Sequence, residues 1–341
     1  SDVYKRQVRI TPNGSGIIST AGSWYTNQAT LGATTPSGAF SNTTSNDNIT
    51  LGTLLGTSNV TLTSGSGTIT LGNIGADGTD VGILALSSSA AVCTAGTWSL
   101  GNITGNAALT TSGALTIDSG SVDFGNITMG GNLSITSSAA IDAGNITGAG
   151  HNLTLASGAN GNITLGTVGA NNAAVGTVNI TPHGTGVIST AGAWYTNAAT
   201  LGAMTLSGNF SITTSDDAVS LGHVKGARTL TISSGSGNIT LSSLGETNTK
   251  LASLTLTTTG TKTASGTWHV DSALSPGALT LGGDLTVVTS DDAITLGAIT
   301  GSSALSLTSG TGVITLANLG TNATNMGNLA LSSSSAVSTC L

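Results

Sequence analysis

Charge is what this chain has least of. Lysine and arginine total 7 and aspartate and glutamate total 14 in 341 residues, so that 6% of the sequence is charged, against about a quarter in ordinary globular domains. The net charge of −7 disfavours binding to nucleic acid or to anionic membrane surfaces, because both need basic patches. Hydrophobic residues make up 38% of the chain, which is too many for a typical disordered protein.

Cysteine, proline and aromatic residues are also scarce. Two cysteines cannot form a disulfide framework for a chain of this length. No apolar run approaches the roughly 18 residues of a membrane span, so we expect no membrane insertion by this segment. The 50 glycines follow no strict three-residue period, which excludes collagen, and no ten-residue stretch has a helical apolar stripe.

The two ends differ from what lies between them. Lys5, Arg6 and Arg9 lie in the first nine positions, and no further lysine or arginine occurs before Lys225. We interpret residues 1–7 as a non-native or disordered end and the closing Cys340-Leu341 in the same way. We therefore expect both ends to cut through a longer polypeptide, which would also explain why no signal peptide opens the chain.

Internal repeats dominate the sequence. Residues 8–52 match residues 178–222 without a gap and are identical at 31 of 45 positions, and residues 230–256 match residues 305–331 at a spacing of 75. All four tryptophans lie in a Gly-x-Trp motif, at Trp24, Trp98, Trp194 and Trp268. Self-similarity at fixed periods is the signature of repeat architectures. We interpret one tryptophan per roughly 75 residues as a packing feature rather than a sugar-stacking platform.

A finer period lies within these repeats. The leucines that close successive apolar segments, four of the six followed by Gly, recur at a spacing of 20: Leu51 and Leu71, Leu221 and Leu241, Leu296 and Leu316. Between them, apolar residues alternate with Thr, Ser or Asn over four to six positions, which is typical of half-buried strands, and Ser-Gly and Gly-Asn pairs indicate turns. The pattern predicts an all-β fold, a parallel β-solenoid (β-helix) with rungs of about 20 residues. A β-sandwich array is the less favoured alternative.

The predicted solenoid has apolar ladders inside and neutral polar side chains outside. Stacking identical rungs places like residues above each other, so ladders of one charge would repel, which explains the low charge. We expect residues 8–341 to form one continuous solenoid with super-repeats 8–177 and 178–341 and sub-units of about 75 residues.

The repeats across residues 8–341 resemble those of a known family in pattern and composition. The segment 230–241, Leu-Thr-Ile-Ser-Ser-Gly-Ser-Gly-Asn-Ile-Thr-Leu, followed by Leu244-Gly245, is similar to the repeats of filamentous-haemagglutinin-like bacterial adhesins and autotransporter passengers. The resemblance implies a right-handed parallel β-helix, secreted to the bacterial cell surface by two-partner or autotransporter export. It also implies a stalk or adhesin whose partners are glycans or proteins of host or neighbouring cells, and end-to-end self-association is a further expectation.

One cluster of charge breaks the repeat and is the candidate binding patch. Its members are His223, Lys225, Arg228, Asp216 and Asp217. The residues 75 positions after the three basic ones are uncharged: Ala298, Thr300 and Ser303. A surface patch of solvated charges is the alternative. The Thr-Ser-Asp-Asp segment at 214–217 has oxygen ligands suited to Ca²⁺, but Asp at a turn after a strand is the more common use, and we predict no metal site.

The function predicted from the sequence is a structural and adhesive rod of a large exported bacterial surface protein, non-enzymatic and without catalytic residues or cofactors. A polysaccharide-binding or polysaccharide-degrading parallel β-helix is the main alternative, because such sites use carboxylates with basic residues in a groove. Thr-x-Thr pairs, as at Thr61 and Thr63, add ice binding as a minor alternative.

Overall fold

Every element of the protein is a β-strand. The computed structural model describes residues 7–12, 16–75, 79–90, 92–321 and 325–339, and within these it contains no helix, hence none that would cross a membrane. Residues 1–6 and Cys340-Leu341, which the sequence marks as foreign, lie outside the described residues. The strands are β1 (Val8–Ile10), β2 (Ile18–Tyr25), β3 (Ala29–Leu31), β4 (Thr34–Thr43), β5 (Ile49–Leu51), β6 (Val60–Gly65), β7 (Ile69–Leu71), β8 (Val81–Ser88), β9 (Val92–Thr104), β10 (Ala107–Thr128), β11 (Leu133–Ser137), β12 (Ile141–Ala143), β13 (Ile146–Thr147), β14 (Leu153–Ala159), β15 (Ile163–Leu165), β16 (Val178–His183), β17 (Ile188–Tyr195), β18 (Ala199–Leu201), β19 (Met204–Thr213), β20 (Val219–Leu221), β21 (Val224–Lys225), β22 (Thr229–Ser233), β23 (Ile239–Leu241), β24 (Ser253–Thr257), β25 (Lys262–Val270), β26 (Leu274–Thr289), β27 (Ile294–Thr300), β28 (Leu305–Thr308), β29 (Ile314–Leu316), β30 (Leu329–Ser332) and β31 (Val337–Thr339).

The strands pair in parallel with partners about one rung away. Ala29 is in register with Ile49, and Ile49 with Ile69, so that β3, β5 and β7 follow one another at a spacing of 20. Parallel strands need a connection that returns the chain to the same edge, and here that connection is the rest of the rung. The predicted parallel β-solenoid, with rungs of about 20 residues, is confirmed.

The chain divides into two compact units. Unit 1 comprises Ser1–Gly166 with Thr181–Gly186, and unit 2 comprises Thr167–Ile180 with Val187–Leu341. In unit 1 the successive pairings include β1–β3–β5–β7–β9–β10 and β2–β4–β6–β8–β9. In unit 2 they include β18–β20–β23–β25 and β17–β19–β22–β24. Each unit is therefore a stack of rungs with its own apolar core.

The core is a set of aliphatic ladders. In β5, Ile49 and Leu51 are buried and Thr50 between them is partly exposed, and β7 repeats this alternation in register. A strand directs successive side chains to opposite faces, so a three-residue Ile-Thr-Leu segment presents two side chains to the core and one to the outside. The predicted inward Leu and Ile and outward Thr are confirmed in these rungs.

Buried hydroxyls close the corners before these short strands. In unit 2, Thr214 Oγ1 donates to the Asp217 carbonyl at 2.6 Å, and on the next rung Ser234 Oγ donates to the Gly237 carbonyl at 2.7 Å. The Thr-Ser-Asp-Asp and Ser-Gly-Ser-Gly segments are thus the same turn on consecutive rungs. Because both hydroxyls are buried, the two hydrogen bonds satisfy donors and acceptors that would otherwise lose their contact with water.

Three of the four Gly-x-Trp motifs put their tryptophan fully inside, namely Trp98, Trp194 and Trp268. Trp24 is only partly buried, and its ring meets Phe40 edge to face at a centroid distance of 5.3 Å. The glycine of the motif has positive φ, +77° at Gly266, where the strand register shifts between Ala264 and Gly266. Glycine adopts this conformation without a Cβ penalty. The bulge turns the next side chains so that the indole enters the core, which confirms the motif as a packing feature.

Two carboxylates stack on consecutive rungs of unit 1. Asp123 of β10 is in register with Asp142 of β12 on the next rung. Partial burial, and secondly the nearby Asp123 carboxylate, raise the pKa of Asp142. Like charges on directly paired strand positions destabilise a sheet, so this pair illustrates why a stacked fold retains few charges.

Candidate functional site

A short hairpin projects from one rung of unit 2. Glu246 and Thr249 exchange backbone hydrogen bonds of 3.0 Å in both directions, with Thr247 and Asn248 between them at the tip. The insertion lengthens its rung, because Leu230 pairs with Leu254 at a spacing of 24, whereas on the preceding rung Phe210 pairs with Leu230 at a spacing of 20. A loop added to a regular stack is the usual place for a binding function in a repeat protein.

His269 closes the base of this hairpin. Its N–H donates to the Leu244 carbonyl at 2.7 Å, and its carbonyl accepts from the Leu251 N–H at 2.9 Å, so its backbone ties the two ends of the loop together. Tyr195 does the same for another hairpin of unit 2, bonding to Val168 and Val175. His269 therefore stands where the other Gly-x-Trp rung of this unit has a tyrosine.

A polar cleft lies between the hairpin and the rungs on either side of it. Its volume is about 390 Å³. It is lined by residues that supply imidazole, hydroxyl, amide and carboxylate groups: His223, Ser243, Gly245, Glu246, Thr247, Asn248, Thr267 and His269. The lining has both hydrogen-bond donors and acceptors, which suits a ligand rich in hydroxyl groups.

An ion pair borders the cleft. Lys225 Nζ lies 2.6 Å from Glu246 Oε1, with the two side chains 38% and 47% exposed. The hydrogen bond from Lys225 lowers the pKa of Glu246, which is therefore ionised at neutral pH. Because both groups are well exposed, the pair contributes little to stability. Its main effect is to hold the hairpin against the previous rung, where His223 Nε2 also lies 3.2 Å from the Gly245 carbonyl.

His269 carries the perturbed imidazole of the cleft. Burial, and then the positive charge of Lys250, lower its pKa, and Glu246 opposes this only in part. Its Nδ1 is buried and has no hydrogen-bond partner among the described residues. The ring is neutral at pH 7, because even an unperturbed histidine has a pKa of about 6.5.

Acid should loosen this hairpin. Since the folded state binds the His269 proton less tightly than the unfolded state, stability is lost as pH falls through the ordinary histidine pKa of about 6.5. We expect the melting temperature of the protein to fall between pH 7 and pH 5, and the loss to shrink in His269→Tyr, which installs the residue found at position 195.

The matched control is His183→Asn, which replaces an exposed histidine of unit 1 by the residue found at position 13. It should keep the wild-type pH dependence. A His269→Tyr protein that loses as much stability on acidification as wild type would show that other groups cause the loss.

The structure brings together part of the patch predicted from the sequence. His223 borders the cleft and Lys225 pairs with Glu246, whereas Arg228 is exposed at the following corner. Asp216 and Asp217 lie before β20, at the other end of that strand from His223. Asp216 Oδ1 instead accepts the Ser236 N–H of the next rung at 2.9 Å, and this bond lowers its pKa.

Sequence reasoning missed Glu246 and His269. Both differ from their counterparts in the repeats: Glu246 aligns with Thr321 at the spacing of 75, and His269 follows Trp268 where Tyr195 follows Trp194. A comparison of every repeat at each position, rather than of basic residues alone, would have found them. Among the described residues, no group of three or more histidine, cysteine, aspartate or glutamate side chains is arranged to hold a metal ion.

Comparison of the chain with protein-family models, curated proteins and solved structures finds no match.

Proposed function

We propose that this chain is a structural and adhesive segment of a large exported bacterial surface protein and performs no catalysis. The observation that carries the proposal is the use of its polar side chains. Many of its asparagine and aspartate side chains join one rung to the next.

In both units, the side-chain oxygen of an asparagine or aspartate accepts a backbone N–H of the following rung. In unit 2, Asn238 Oδ1 accepts from Thr261 and Asp291 Oδ1 from Thr311, at 2.9 and 2.8 Å. The residues that make this bond are Asn46, Asn48, Asn59, Asn73, Asn126, Asn132, Asn160, Asn209, Asp216, Asn238, Asp284 and Asp291. Each of these backbone N–H groups thereby has a hydrogen-bond acceptor. The use of these side chains to join neighbouring rungs favours a structural role over a catalytic one.

Repetition also suits adhesion. A surface that presents similar hydroxyl groups rung after rung offers many weak contacts, and many copies on one cell raise avidity through effective concentration by about 10²–10⁴-fold. The extracellular location and the export route belong to this proposal and are supported by the sequence resemblance to filamentous-haemagglutinin-like adhesins.

The test is adhesion of microspheres that carry the whole chain. Spheres coated at increasing density are applied to cultured epithelial cells, to bacterial lawns and to a glycan array, with albumin-coated spheres as the control. We expect attachment to rise steeply with coating density, because single contacts are weak. Attachment no greater than that of albumin on all three surfaces would overturn the adhesive role.

A polysaccharide-binding or polysaccharide-cleaving solenoid is the second candidate function. The polar cleft at the hairpin favours it, because Glu246 and His269 are an ionised carboxylate and a neutral imidazole at pH 7. Incubation with polygalacturonate, followed by measurement of new reducing ends and unsaturated products, separates the two. Product formation that is lost in Glu246→Gln would establish the enzyme.

A further inference from the structure

Lys262 occupies a position that the other repeats reserve for a buried aliphatic residue. Four residues before the glycine of each Gly-x-Trp motif the sequence has Ile18, Val92, Ile188 and Lys262. The first three are buried, and Lys262 is partly exposed. Lys262 is paired in register with buried Ile239 of the previous rung. One copy of the repeat therefore has an ammonium group where packing alone favours isoleucine or valine.

Lys262 lines a groove that runs across four successive rungs of unit 2. The hollow has a volume of about 480 Å³. Its lining residues are Asn238, Thr258, Thr259, Gly260, Thr261, Lys262, Ala278, Leu279, Thr280, Ala298 and Thr300. Gly277 leaves room for the amine, because a Cβ there would lie 3.3 Å from Lys262 Nζ. Small residues on the later rungs, Ala278 and Ala298, leave the groove open along the stacking direction.

The lining is cationic and hydroxylated. Lys262 is its one charged residue, in a chain whose net charge is −7. Thr280 Oγ1 and Thr300 Oγ1 lie 3.0 Å apart and form a column of hydroxyls on consecutive rungs. Hydroxyls donate and accept, and an ammonium group only donates. A ligand that fits this set has one negative group beside hydroxyl groups.

We propose that this groove binds an anionic polysaccharide, with Lys262 pairing one carboxylate or sulfate group and the threonine column bonding the neighbouring sugar hydroxyls. Rungs stack at about 4.8 Å, a repeat comparable to the length of one sugar ring in an extended chain. Nucleic acid is a poor alternative, because single strands bind by stacking bases on aromatic side chains, and the lining has one lysine and no aromatic residue. The inference rests on the proposed adhesive function for its biological meaning and names the class of glycan bound.

The test uses the full chain and three soluble probes: oligogalacturonate, dextran sulfate and neutral dextran of similar length, each titrated by calorimetry at low and high salt. We expect one or both anionic probes to bind and neutral dextran not to bind. Lys262→Ile should weaken binding by roughly tenfold or more, because a hydrogen bond to a charged group contributes about 1.5–3 kcal/mol. Lys262→Arg should keep most of the affinity, and Lys250→Ser, which removes a positive charge elsewhere, should keep all of it.

A loss of binding in Lys262→Ile would not be explained by a loss of folding. Isoleucine restores the residue of the other repeats, so Lys262→Ile should melt at or above the wild-type temperature, a gain typical where a functional residue replaces a packing residue. Equal binding by wild type and Lys262→Ile, or no binding of either anionic probe, would overturn the groove. If microspheres coated with Lys262→Ile still adhere, the adhesive function stands without this site. If microspheres coated with the wild-type chain do not adhere, that result counts against the adhesive function and not against glycan binding by the groove.

Discussion

Replacement of Trp268 by alanine is expected to lower the free energy of unfolding of unit 2 by about 3–5 kcal/mol. The indole is fully buried, and its strand positions pair it with Leu244 on one rung and Val287 on the next. Its Nε1–H donates to the Ser242 carbonyl at 2.7 Å, so alanine leaves both a cavity and a partly buried carbonyl without this donor. Urea unfolding followed by far-UV circular dichroism measures the loss.

The matched control for this variant is Trp24→Ala. Trp24 lies in the same motif but is only partly buried, so its removal should cost clearly less. Because repeat arrays can unfold in parts, limited proteolysis should accompany the urea curves and show early cleavage in the rungs around Trp268. Equal losses for the two variants would contradict the packing role assigned to the buried indole.

The same tryptophan shows how far the sequence could predict the fold. The regular spacing of the strand-closing leucines and the alternation of Ile, Thr and Leu in segments such as 49–51 predict the parallel rungs and the inward faces, because strand pairing and pleat follow directly from them. The Gly-x-Trp motif predicts a packing feature. Its setting, a lengthened rung in which Leu244 pairs with Trp268, depends on where the hairpin at 246–249 inserts.

The candidate site was harder to predict for the same reason. His223, Glu246 and His269 border one cleft although they lie far apart in the sequence. Proximity in the sequence predicts that His223 lies with Asp216 and Asp217, but these two residues lie at the far end of β20. In a solenoid the neighbours that matter are one rung away, and the length of that rung changes wherever a loop is inserted.

Lys262 illustrates a second limit of prediction from the sequence. Its position is visible in the sequence once the four Gly-x-Trp motifs are aligned, but its meaning depends on the hollow beside it. Only the pairing of Lys262 with Ile239 shows that the ammonium interrupts an aliphatic ladder. The polar corner residues are similar, because an asparagine that bonds to the next rung is indistinguishable in sequence from one that faces solvent.

The corners give the second large expected effect. Gly237→Ala should lower the free energy of unfolding by about 3 kcal/mol, the upper end of the range for overpacking. A Cβ at Gly237 would lie 2.1 Å from the Asp217 carbonyl oxygen of the rung before it. That oxygen accepts the Thr214 hydroxyl and belongs to backbone, so it has little freedom to move. Hydrogen exchange of the amides in β20 and β23 should report the local loss.

Two substitutions serve as controls for the corner variant. Asp217→Ala removes an exposed side chain from the neighbouring corner and should change stability by less than about 0.5 kcal/mol. Gly283→Ala places its Cβ 3.4 Å from Ser265 Cβ, an ordinary contact, and should be nearly neutral. Losses of similar size in all three variants would show that glycine at the corner is not required by the stacking of rungs.

The same geometry explains why a glycine-containing corner follows each Thr-Ser-Asp-Asp corner on the next rung. A Thr-Ser-Asp-Asp corner at 214–217 is followed on the next rung by Ser-Gly-Ser-Gly at 234–237, and 289–292 by Ser-Gly-Thr-Gly at 309–312. Side chains at Gly235, Gly237 and Gly312 would meet the backbone of the corner before them. Writing Thr-Ser-Asp-Asp into positions 234–237 should therefore disrupt unit 2 more than Gly237→Ala alone. The reverse change, Asp216→Gly with Asp217→Gly, should fold and lose mainly the Asp216 bond to Ser236.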